Sequence, residues 1–469
     1  MRYVFGFLGA SALSLALMAG CSDENGEGGS GGTAGTGGTG GTAGTGGMAG
    51  TGGTAGTGGS GGMPECEGPE DCDDDEECTT DTCSEGMCGY TAAADGTVCA
   101  DGRGGCYEGI CNFVPVSVDI GATEIVFDWT MDRCDEFDIA DSPAKVVRAE
   151  DGELVLFAIH EQSNYLLRGP DFDSLEGECH PAHQSANLPT AESYENNEWL
   201  WSPYREGARW HVLIHNEFHP VDPPPCGGSL NPCWYNSITH AVSTDGAHSF
   251  AKPGAPAHVV APAPELWVPP PPDFPLNRWY VTGYLAPTNI VLGPGDYYYA
   301  LFRVVLYLQD WFGGACVMRT KTLDDPASWR AWDGSGFNLP MASPYVTGTP
   351  AEVCVPLQTP TGQLMHVTDS LTYNTYLERY MLVSEWNPGV CGWYFSLSSD
   401  LVHWSDLQLI SERACTSSPP GYPSVIDHDD VTTNFERPGQ TPHLYYTRYH
   451  PYWLDRDLVR VPLTFTLKE

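Results

Sequence analysis

The stretch 392–404, GWYFSLSSDLVHW, decides the fold. It begins as a short aromatic and apolar strand, reverses through Ser398, Ser399 and Asp400, and closes on Trp404. The same order of strand, Ser/Thr/Asp/Gly turn and aromatic residue returns in ITHAVSTDGAHSF at 238–250, ending on Phe250, and in CVMRTKTLDDPASW at 316–329, ending on Trp329. Hydroxyl and carboxylate side chains support a tight reversal, and the aromatic ring that follows can fill the gap between neighbouring sheets.

Working outward, further strands appear in GELVLFAIHE (152–161), ARWHVLIHNEF (208–218), YYYALFRVVLY (297–307), ERYMLVSEW (378–386) and PHLYYTRYH (442–450). They recur at about the spacing of a propeller blade or somewhat more. A β-sandwich could use the same strands, but regular repetition with equivalent aromatics points to radial packing. The expectation is an all-β fold: a five-bladed β-propeller over residues 116–469, each blade four-stranded, with almost no helix.

The segments before the propeller differ sharply in composition. Arg2 is followed by an uncharged apolar run from Tyr3 to Leu17, the length of a signal-peptide core and short for a membrane span. Met18-Ala19-Gly20-Cys21 resembles a bacterial lipobox, which implies a signal peptide over 1–20 and a diacylated Cys21. Residues 21–63 form a Gly/Thr/Ala-rich flexible linker that cannot bury enough apolar surface to order itself. Residues 64–115 form a disulfide-rich module, too small and polar for a core of its own. Its acidic run Asp73, Asp74, Asp75, Glu76 and Glu77 lacks EF-hand spacing and reads as a solvated loop; neither a metal nor another cofactor is expected.

Cysteine usage points to the same destination. Of 17 cysteines, Cys21 stands apart, eight fall between Cys66 and Cys111, and eight between Cys134 and Cys415. Even numbers in each segment suit closed pairing in an oxidising compartment, and no pair has the C-x-x-C spacing of a zinc site. Cys226 and Cys233, enclosing GGSLNP, are the first disulfide expected in the propeller. The protein is therefore expected outside the cytoplasm, at the bacterial outer membrane or cell surface, with the lipid as its only membrane attachment.

Three of these stretches also carry a family resemblance. DSPAKVVRAEDGELVLFAI from Asp141, GWYFSLSSDLVHWSD from Gly392, and the closing YPSVIDHDD with PHLYYTR are similar to blades of the five-bladed glycoside hydrolases of family 43 and its relatives. The cysteine segment CDDDEECTTDTCSEGMCGYTAAADGTVC separately resembles small Asp-rich repeats of bacterial surface proteins. Family resemblance implies an inverting hydrolysis by carboxylates around the propeller axis, one activating water and one protonating the leaving oxygen.

On that basis Asp141, which precedes the first inner strand with one residue inserted before Pro143, is expected as base. Glu217, beside His215, Asn216 and His219 and flanked by Ile214 and Phe218, whose desolvation would raise its pKa, is expected as acid, and Glu161 competes for that role. Glu385 or Asp427 would be the third carboxylate. His215, Trp234, Tyr235, Asn236 and Arg448 are expected to bind substrate, with Trp199, Trp201, Trp311 and Arg303 as further candidates. A formal net charge of −40 argues against nucleic acid as a partner and leaves a polysaccharide or oligosaccharide. The alternative is a non-catalytic surface propeller that binds glycan or protein, since a fold alone does not report activity.

Overall fold

The computed structural model describes residues 66–74, 76–221, 226, 233–271, 274, 280–306, 312–365, 368–386, 389–416 and 419–468. The signal peptide, Cys21, the linker, Trp311 and the loop 227–232 lie outside them. Two compact units are present. The smaller contributes 66–74, 76 and 80–91 to the described residues and is cross-linked by Cys66–Cys83 and Cys72–Cys88. The larger comprises 77–79 and 92–468, and carries the remaining disulfides Cys78–Cys106, Cys99–Cys111, Cys134–Cys179, Cys226–Cys233, Cys316–Cys354 and Cys391–Cys415. All pairs close within their own cysteine segment, and Cys226 and Cys233 have Cα atoms 5.3 Å apart.

The larger unit is a five-bladed propeller. Blade I runs outward through Lys145–Arg148, Leu154–Phe157, Asn164–Gly169 and Glu176–His183. Blade II follows with Asn197–Glu206, Arg209–Phe218, Cys233–Ser243 and Val259–Ala261. Blade III has an interrupted inner strand, Tyr280–Leu285 and Val291–Gly293, then Tyr297–Leu306, Phe312–Thr320 and Arg330–Ala331. Blade IV is Ser370–Asn374, Arg379–Trp386, Gly392–Ser398 and Gln408–Glu412. Blade V has Gly421–Ile426, His443–Tyr449 and Arg456–Leu467, and its outer edge comes from the other end of the unit, Val116–Ile120 and Glu124–Phe127. This last pairing joins the two ends of the propeller by backbone hydrogen bonds rather than by side chains alone. Among the described residues α-helix is confined to Trp129–Asp132 and Pro344–Thr347.

The apolar core divides as the blades do. One cluster joins Val155 and Phe157 of blade I to Val212 and Ile214 of blade II, and Phe250 sits in it. Trp329 lies where Leu213 and Ile238 of blade II meet Phe302 and Met318 of blade III. Trp404 lies where Tyr299 and Leu301 of blade III meet Leu371 and Leu382 of blade IV. Two further clusters join blade IV to blade V and blade V back to blade I, so the ring closes. Each turn aromatic thus packs between sheets, and truncating one such buried ring to alanine costs about 3–5 kcal/mol.

The turn chemistry explains why the aromatic arrives there. In blade IV the backbone N–H of Leu401 donates to Ser398 Oγ at 2.8 Å, and those of Val402 and His403 donate to Asp400 Oδ1. In blade II Ala247 N donates to Ser243 Oγ at 3.0 Å and Ser249 N to Asp245 Oδ1. Both turns place a non-glycine residue at positive φ, Leu401 at 70° and Ala247 at 68°, and the hydroxyl-carboxylate pair offsets that strain.

Candidate active site

In every blade the inner strand begins, and the second strand ends, at one end of the ring. Because paired strands are antiparallel, residues just before an inner strand and residues closing a second strand meet there. Asp141 and Asp369 come from the first group, and Tyr422 stands at the start of the inner strand of blade V; Glu161, Glu217, Arg303, Glu385 and Tyr449 come from the second.

Asp141 is buried, 2% exposed. Its Oδ1 accepts from Tyr422 OH at 3.1 Å and is bound by the Arg456 guanidinium. Burial pushes its pKa up against the pull of Arg456. The residue immediately before Pro143 is Ser142, whose Oγ accepts the Ile159 N–H at 3.0 Å. Beside Asp141, His160 Nε2 and Glu161 Oε2 stand 2.6 Å apart.

Glu217 is also buried, but its environment is different in kind. His215 Nε2 lies 3.3 Å from Oε1 and His219 Nε2 lies 2.7 Å from Oε2. Burial raises the carboxyl, and the two imidazoles outweigh it, leaving the pKa at about 2. The raised pKa expected from desolvation by Ile214 and Phe218 is therefore corrected. The neighbours on its own strand face supply hydrogen bonds that desolvation alone does not anticipate.

An aromatic wall connects the two carboxylates. Tyr422 neighbours Trp201 at 6.2 Å, Trp201 neighbours His215 at 5.0 Å, and Trp199 lies 5.3 Å from His215. The indole N–H groups of Trp199 and Trp201 find no hydrogen-bond partner among the described residues. Asn236 Oδ1 sits 3.4 Å from His215 Nε2, and Asn236 Nδ2 donates to Thr282 O. Trp234, on the same strand face, stacks on His219 at 5.8 Å. His215, Trp234 and Asn236 therefore lie with Glu217.

Two of the expected binding residues lie elsewhere. Tyr235 points to the opposite strand face, packs with Phe218 and Ala263, and donates its OH to Glu265 O at 2.7 Å. Arg448 is ion-paired to Asp457 at 2.6 Å, on the strand face opposite Tyr449. Strand alternation separates each from its neighbour, a parity set by register rather than composition. Asp427 follows the inner strand of blade V, hence the other end of the ring, and accepts Asp429 N and Gly439 N.

Blade IV supplies a carboxyl with a strongly raised proton affinity. Glu385 is pushed by burial up to about 8, against Arg413 and with Asp369 adding to the rise; Arg413 Nη2 is 3.1 Å from Oε2. Asp369, raised to about 6 by burial, takes a hydrogen bond from Ser384 Oγ. Lys145, on the inner strand of blade I, donates to Asn289 Oδ1 at 2.7 Å and to Asp369 O at 2.5 Å, and burial lowers its pKa to about 7. Tyr449 feels both Asp141 and Glu385. Of these groups, Lys145 and Asp369 were missed at the sequence level. A lysine in the apolar strand KVV and an aspartate directly before the strand SLTYN were the available signals.

No protein-family model matches the chain, and no curated protein does. Solved structures do. A protein of unknown function from Dyadobacter fermentans is 10% identical, with a TM-score of 0.44, over 75% of this chain and 100% of that one. An endo-arabinase from Bacteroides thetaiotaomicron is 10% identical, with a TM-score of 0.41, over 72% and 97%. A GH43_1 enzyme from Xanthomonas citri is 10% identical, with a TM-score of 0.39, over 73% and 90%. Function must be argued from this chain's own residues.

Proposed function

We propose that this chain is an exported glycoside hydrolase, anchored at the cell surface through Cys21, that cleaves a polysaccharide or oligosaccharide at the end of the ring where the inner strands begin. The observation that carries the reading is the opposite displacement of two buried carboxyls at that end, Glu385 to about 8 and Glu217 to about 2. Acid–base hydrolysis needs one carboxyl protonated near neutral pH and another ionised, and such divergent environments are how one site provides both. Glu385 is then the proton donor and Glu217 the ionised partner. Asp141, tied to Arg456 and Tyr422, fixes the floor between blades I and V.

The test is hydrolysis of arabinan, xylan and aryl-glycosides by the purified protein. Glu385→Gln should lower kcat roughly 10²–10⁴-fold while binding is kept. A second reading, saccharide binding without turnover, is favoured by the Asp141–Arg456 pair and by Ser142 standing before Pro143. Binding on a glycan array with no cleavage of any substrate would select it.

A further inference from the structure

Buried charge on an inner propeller strand needs a reason, because an unpaired ammonium is expensive to desolvate and apolar residues fit such strands at less cost. Val146 and Val147 beside Lys145 are apolar, as the position would lead one to expect. Lys145 is 2% exposed, yet its Nζ reaches across to two other blades. It donates to Asn289 Oδ1 in the interrupted inner strand of blade III, and the same oxygen accepts the Leu371 N–H of blade IV at 3.2 Å. It also donates to the Asp369 carbonyl, one residue before the inner strand of blade IV. One ammonium thus ties three inner strands together.

Asp369 is the link from this tie to Glu385. Its carboxylate takes Ser384 Oγ–H and the backbone N–H of Glu385, and it faces the charges of Lys145 and Arg303. Glu385 in turn faces Arg413, Asp369 and Arg303, and bears on Tyr449. We propose that Lys145 is a positioning residue: by holding Asp369 in place and ionised beside Glu385, it decides which of the two carboxyls carries the proton. Its catalytic meaning rests on the hydrolase reading, but the linkage itself is a property of the folded protein.

The sign follows from the geometry. With Lys145 present, Asp369 gives up its proton first, and its negative charge holds the proton on Glu385. Without the ammonium, Asp369 is less readily ionised, so Glu385 loses the charge that favours its protonated form. In Asp369→Asn that charge is absent altogether.

The experiment is a pH titration of the full-length protein labelled with [13Cδ]glutamate, the Glu385 signal being the one missing from Glu385→Gln. The Glu385 midpoint should fall by about one unit, tenfold in proton affinity, or more in Asp369→Asn and Lys145→Met, and return toward the parent in Lys145→Arg. A midpoint unchanged in both substitutions overturns the proposal. Should Lys145→Met fail to fold, Asp369→Asn and Ser384→Ala in the parent background decide it by the same shift. A displaced midpoint without hydrolysis of any glycoside would sink the hydrolase reading and leave the linkage standing. Hydrolysis with unmoved midpoints would do the reverse.

Discussion

Replacing Glu385 by glutamine should make the protein more stable at alkaline pH and leave it nearly unchanged in mild acid. The glutamate is raised from 4.5 to about 8 in the folded protein, chiefly by burial, and its side chain is 15% exposed. Between those two values the native state holds a proton that the unfolded chain has released. Stability therefore falls as pH rises through that window. A displacement of roughly 3.5 units corresponds to a ceiling of about 5 kcal/mol above pH 8, at 1.36 kcal/mol per unit. Glutamine, neutral at every pH, removes the dependence while keeping an acceptor for Arg413. Guanidinium unfolding of parent and variant from pH 5 to pH 9 measures it. The difference should be small near pH 5 and exceed about 1 kcal/mol in favour of the variant at pH 9. A difference that stays constant over that range, or that grows in favour of the parent, refutes the claim that Glu385 is protonated in the native protein at neutral pH.

Gly283→Ala should destabilise the protein by more than about 2 kcal/mol in thermal unfolding, because φ is +115° and a Cβ there would stand 2.1 Å from the Asn236 carbonyl oxygen. Removing the Cys316–Cys354 bridge by double substitution to alanine should cost about 4 kcal/mol, the loop-closure value for a separation of 38 residues; a change below 1 kcal/mol in denaturant titration would show that the bridge closes no loop free in the unfolded chain. His240 is lowered to about 3 by burial and by His211, so its contribution is complete above pH 6.5 and is lost as pH falls toward 3. His240→Leu should accordingly narrow the stability gap between pH 7 and pH 5 by about 2 kcal/mol. Cys21→Ser should move the protein from the membrane fraction to the soluble fraction, and retention in the membrane would defeat the lipid anchor.

The fold was legible because its signal is local. A turn such as Ser398-Ser399-Asp400 sets the chain reversal through bonds spanning two to three residues, and the ring that follows has one place to go, between the sheets. Repetition of that unit fixes blade number without knowledge of any long-range contact. The joining of the ends was not legible in this way, since Val116–Ile120 pairs with the final strand across more than 300 residues. Cysteine pairing was legible as parity within segments and as the Cys226–Cys233 pair across its short loop; the remaining connectivity came with the three-dimensional arrangement.

The site was legible only in part, and the missing part has one physical cause. Sequence order shows which residues follow one another, and proton affinity depends on which of them share a strand face and on what stands across it. Glu217 looked desolvated from Ile214 and Phe218, yet those side chains alternate away from it, and the residues two places off on its own face, His215 and His219, hold it ionised. Glu385 looked like any strand-end carboxylate, and its raised affinity comes chiefly from burial, with Asp369, sixteen residues earlier in the chain, adding to it against the pull of Arg413 and Arg303. Lys145 is the extreme case, since its partners Asn289 and Asp369 lie 144 and 224 residues away. A propeller brings such residues together because each blade starts its inner strand at the same end. Charges that are isolated in sequence therefore converge there, five blades at a time. The proton affinities of Glu385 and Asp369 are set by residues from several blades, and a reading of one blade at a time does not display them.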